Sequence, residues 1–166
     1  MDVRLVFGIS VLMFFVSSGV VARLYLWPRL RNMPQERALV LLVAPHMFLR
    51  FIGLSFLVPG VVSPSLPAAF AAPAAYGDLV AGVLAIVSTV GLARRASWAV
   101  PLVWVFNVWG AADLLFAFYQ GPRLAIGPGA FGAAFFIPTA VVPVLLVTHF
   151  LIFCLLLRPA STSGRG

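Results

Sequence analysis

Five uninterrupted apolar runs, each long enough for a helix to reach across most of a bilayer, take up most of this chain and leave room for little else. They cover residues 3–22, 38–61, 79–93, 97–119 and 133–157. A helix needs about 20 apolar residues to match a hydrocarbon layer of about 30 Å. None of the runs alternates polar and apolar residues as a barrel strand must. With 63% hydrophobic and 9% charged residues, the chain cannot cover a water-facing surface. Soluble domains run at about 45–50% and about 25%. The expected fold is therefore all-α: one five-helix transmembrane domain over 1–158 and a short polar tail over 159–166.

The connectors set the expected orientation. Arg23, Arg29, Arg31, Arg37, Arg94, Arg95, Arg158 and Arg165 fall on one side of a five-span chain, and Arg4 and Arg123 on the other. That asymmetry predicts an outside N-terminus and a cytoplasmic C-terminus in a multi-pass protein of a cell membrane, the inner membrane in a bacterium. The basic stretch after the first span suits a cytoplasmic stop, so the span is expected to be a retained helix and not a cleaved signal. Pro64, Pro67 and Pro73 interrupt residues 62–78. The third span is accordingly expected to be the shortest, about 22 Å, with Asp78 at one interface and Arg94-Arg95 at the other. Pro138 and Pro143 are expected to bend the fifth span.

Several function classes drop out. The net charge of +7 comes with arginines in short connectors, which topology explains better than nucleic-acid binding. There is no Lys to carry a retinal Schiff base, and the lone Cys154 allows neither an internal disulfide nor a multi-cysteine metal site. Two His and one distant Asp do not form a compact ligand set, so no metal site is expected. No Ser–His spacing favours catalysis, so an enzyme is not expected. Ser55, Ser88, Thr89, Thr139 and Thr148 read as hydroxyls bonding back to their own helices or gluing helices together.

What remains is a set of polar residues inside the spans, where each ionisable group costs roughly 2.5–3.5 kcal/mol on insertion scales. His46 and Arg50 lie on span two, Asn107, Asp113 and Gln120 on span four, and His149 on span five. His46 is nine residues from Arg37, and His149 nine from Arg158. Both sit about 13–14 Å inside the cytoplasmic boundary. Arg50 follows His46 by one turn on the same face, and Gly53 continues that face as a close-approach position. Asp113 lies sixteen residues from Ser97, so about 24 Å deep.

Three readings follow. Arg50 and Asp113 pair across spans two and four and specify which helices are neighbours. Alternatively His46, Arg50, Asn107, Asp113 and His149 line an interior site for a lipid, a quinone or another apolar small molecule. In the third, His46 and His149 act as the axial ligands of a b-type haem. Membrane lipids are the expected surroundings in every case.

Overall fold

The computed structural model describes residues 2–158. They form five helices long and apolar enough to cross a membrane: α1 Val3–Leu30, α2 Gln35–Leu57, α3 Ala68–Ala93, α4 Ala99–Arg123 and α5 Ile137–Leu156. A 3₁₀ segment, Pro128–Phe135, joins α4 to α5. The polar tail and Arg165 lie outside the described residues.

Two spans differ most from expectation. α3 is 26 residues long and runs straight through Pro73, so it is not a 15-residue span beginning at 79. Pro67, extended at ψ 134°, is where the chain turns into the helix. Pro73, six residues further on, removes one backbone hydrogen bond. Membrane helices tolerate that loss, and Phe70, Ala71, Ala74 and Ala75 bury themselves on either side of it. α1 likewise absorbs the first part of the basic connector, continuing through a π turn at Ala22–Leu26 to Leu30.

Pro45 and Arg50 divide α2. The α-helical half Gln35–Val43 ends in a turn at Ala44 and Pro45, and a single α turn, His46–Leu49, leads into a 3₁₀ stretch, Arg50–Leu57. Mid-helix 3₁₀ winding often marks strain or function. Pro138 lies in a π turn at Ile137–Val141, so α5 begins irregularly and becomes α-helical only from Val142. Gly132, at φ 52° and ψ −130°, takes a conformation closed to other residues. Its neighbour Ala133 donates to the Val61 carbonyl at 2.8 Å, tying the two connectors at that end together.

α3 is the central helix. Its face of Ala71, Ala74, Ala75, Ala81, Gly82, Ala85 and Ser88 packs against α4 and the second half of α2. Small residues allow such close approach where lipid supplies no hydrophobic drive between helices. α1 is peripheral: only 6% of its apolar window is buried, and it rests on α5 and the connector before it.

Two apolar clusters fill the interior. One gathers Leu39, Val43, Phe106, Ile152 and Leu155; the other Phe56, Phe70, Leu114, Phe131 and Leu145. In each of α2 to α5 the residues between these two sets include the buried polar ones: His46, Arg50, Asp78, Asn107 and His149.

Candidate functional site

Arg50 organises the polar layer. It enters at the first residue of the 3₁₀ stretch and is fully buried, at 0% exposure. A buried guanidinium must find acceptors for its N–H groups. Nη1 donates to Asp78 Oδ1 at 2.7 Å and to Asp113 Oδ2 at 2.9 Å. Nη2 donates to the Gly110 carbonyl at 2.6 Å and to His149 Nε2 at 2.8 Å. Of its five N–H groups, Nε–H alone finds no partner among the described residues.

These bonds fix the tautomer of His149. Because Nε2 accepts from Arg50, the ring proton sits on Nδ1, which donates to Asn107 Oδ1 at 2.7 Å. The Asn107 amide nitrogen then donates to the His149 carbonyl at 3.2 Å, so one Asn holds both the ring and the backbone of its partner. His46 has the opposite tautomer. The Thr148 hydroxyl gives its proton to the Leu145 carbonyl, so His46 Nε2–H donates to Thr148 Oγ1 at 2.9 Å. His46 Nδ1 is left as a buried acceptor without a partner among the described residues.

Three glycines make room for this layer. A Cβ at Gly53 would collide with the Asp78 carboxylate, and one at Gly77 with that of Asp113. A Cβ at Gly110 would stand 2.7 Å from both Arg50 Nη2 and the His149 ring. Each of α2, α3 and α4 thus gives up a side chain where a charged group of another helix comes in.

The five expected site residues are brought into one cluster. Arg50, Asn107, Asp113 and His149 share one hydrogen-bonded network, and His46 joins it through its ring, 4.5 Å from the ring of His149 between centroids. Gln120 is apart from them and accepts from Arg123. Asp78 is the main departure: it lies in the middle of the layer and not at an interface. Its level was countable from the other end of its helix. Asp78 is sixteen residues from Arg94, as Asp113 is from Ser97, which places both about 24 Å from the same boundary.

The two imidazoles are poorly placed for haem. A metal between two ring nitrogens sits about 2 Å from each. Here the rings are tilted by 57° against each other, and both Nε2 atoms are already hydrogen-bonded. Axial ligation would require those bonds to break and the rings to separate. Among the described residues no three His, Cys, Asp or Glu side chains gather closely enough to hold a metal ion.

A cavity of about 430 Å³ begins at the two carboxylates. Asp78, Ala74 and Phe70 line it at successive turns of α3, and Asp113, Ala117 and Pro122 line it along α4. It therefore extends about 13 Å toward the helix ends where α1 starts. Arg4 and Phe7 of α1 close that end. Arg50 does not line it.

These features define a small helical protein with the makings of a multi-pass membrane bundle, in which a buried ion network forms one end of an apolar cavity. Residues 6–157 match the family described as a domain of unknown function, DUF8737, and the chain belongs to that family. No curated protein and no solved structure matches it.

Proposed function

We propose that this protein is a multi-pass inner-membrane protein, N-terminus outside and C-terminus cytoplasmic, that holds an amphipathic ligand in the cavity between its helices. The cavity carries this reading: its volume of about 430 Å³ lies within the range of small-molecule sites, about 300–1,000 Å³, and a few polar groups converge on one end of apolar walls. The arginine bias supports the orientation, and under it the cavity reaches toward the outer face.

Arg50 favours a second role alongside the first. Four N–H bonds tie α2 to α3, α4 and α5, so the same layer also specifies which helices meet. Removing a partner from such a network is far costlier than its net contribution suggests.

Native mass spectrometry of protein purified in mild detergent tests the binding role. We expect a retained lipid or other apolar small molecule that is lost in Ala117→Trp, a substitution that fills the cavity away from the ion network. Identical spectra for the two proteins would refute binding in this cavity. An absorption spectrum of the same sample tests the haem reading: no Soret band is expected.

A further inference from the structure

We propose that the cavity selects ligands carrying a protonated amine, with the ammonium against Asp78 and Asp113 and an apolar body of about 13 Å along α3 and α4. The inference rests on the cavity-binding reading and deepens it.

Formal charge points to the sign of the ligand's head. One guanidinium faces two carboxylates, so with both ionised the buried network is one positive charge short of neutral, and either a proton or a ligand's cation balances it. An unbalanced charge in a low-dielectric interior is strongly unfavourable. A single cation at the carboxylates removes the imbalance, whereas an acid adds to it.

Hydrogen bonding points the same way. Asp78 is only 6% exposed, lines the cavity, and has an Oδ2 with no hydrogen bond among the described residues. Asp113 likewise lines the cavity, and its Oδ1 carries none. Ionised carboxylates accept and do not donate, so a ligand must bring N–H or O–H groups to this end. Arg50 approaches the carboxylates from outside the cavity wall and offers no donor to a ligand acid. Among the described residues the one cation lining the cavity is Arg4, at the opposite end.

The walls suit a cation with an apolar body. Phe56, Phe70, Phe118 and Phe131 come from four different segments and present rings around the space. Aromatic faces attract ammonium groups and pack against alkyl or aryl chains. A phospholipid ammonium fits less well, since its phosphate would follow it toward the carboxylates.

The test uses the full-length protein in mild detergent with three chain-matched probes: decylamine, decanoate and decanol. Binding is read by native mass spectrometry and by the shift in thermal unfolding. We expect decylamine to bind roughly ten- to a hundredfold more tightly than decanoate or decanol, the range that a charge-assisted hydrogen bond supplies. We expect that preference to vanish in Asp113→Asn, which leaves a neutral network. Ala117→Trp should weaken all three probes. If decanoate or decanol binds as well as decylamine, or if Asp113→Asn keeps the preference, amine selection is refuted while cavity binding stands. If no probe distinguishes wild type from Ala117→Trp, the cavity reading falls with it.

Discussion

Replacing the two carboxylates by asparagine, singly and together, measures the charge of the buried layer directly. In Asp78→Asn or Asp113→Asn the layer becomes formally neutral, because Arg50 still faces one carboxylate. The asparagine oxygen can still accept from Nη1, so the loss is that of charge assistance in one bond. Hydrogen bonds to charged groups contribute about 1.5–3 kcal/mol and neutral ones about 0.5–1.5, a difference of about 1 kcal/mol. Relief of repulsion between the two carboxylates works in the other direction. Each single variant should therefore lie within about 1 kcal/mol of wild type.

The double variant is different in kind. Arg50, at 0% exposure, would keep only neutral acceptors around it. Leaving a buried charge without its counter-ion costs about 3–5 kcal/mol. The two substitutions should therefore be non-additive by about 1 kcal/mol or more, above the few tenths expected of independent sites. Reversible unfolding in mixed micelles, followed by circular dichroism, gives the three differences on one scale. If each single substitution costs 3 kcal/mol or more and the double is their sum, both carboxylates are needed to balance the layer. The one-charge deficit then has no basis, and neither does the amine site built on it.

Two further outcomes test the frame around the layer. Gly53→Ala, Gly77→Ala and Gly110→Ala should each destabilise by about 1–3 kcal/mol through overpacking, measured by the same unfolding titration, whereas Gly8→Ala and Gly121→Ala, which face open space, should not. For topology, a reporter active only in the cytoplasm should work when fused after Arg158 and fail when fused after Arg123. The reverse pattern would overturn the orientation.

Span count and the depth of most polar residues were legible because both follow from counting. Apolar length gives the span, and distance from flanking arginines gives the level, which is how Arg50 and Asp113 could be paired before their contact was seen. Gly53 was legible too, as a small residue on the face of a charge. The helical span of α3 was not. Pro73 reads as a breaker by backbone chemistry, but burial of its neighbours outweighs one missing hydrogen bond. A helix that starts at 79 for that reason would put Asp78 at an interface. Gly77 and Gly110 carry no signal of their own, because a glycine among Ala and Val reveals its purpose only once the charged group lying over it is known. The 3₁₀ winding at Arg50 was equally hidden, since no residue in 50–57 requires it.

The structural and ligand readings of the layer divide along the two amino groups of one guanidinium. Nη2 engages Gly110, His149 and, through His149, Asn107, all away from the cavity. Nη1 engages Asp78 and Asp113, both in the cavity wall. Helices in lipid gain little from apolar contact with each other, so a bonded layer is an effective way to fix neighbours, and the Nη2 half joins α2, α4 and α5 without any ligand. The Nη1 half attaches α3 but carries one negative charge too many, an arrangement that packing alone does not call for. A purely structural network would be expected to balance its charges or to do without them. If the amine site proposed above is real, the surplus carboxylate serves binding, and the two halves should separate by experiment. Asn107→Leu, on the Nη2 side, should lower stability and leave decylamine affinity per folded molecule unchanged. Asp113→Asn, on the Nη1 side, should leave stability near wild type and abolish the preference for the amine. If Asn107→Leu weakens the amine as much as Asp113→Asn does, the division is wrong and the layer acts as one unit.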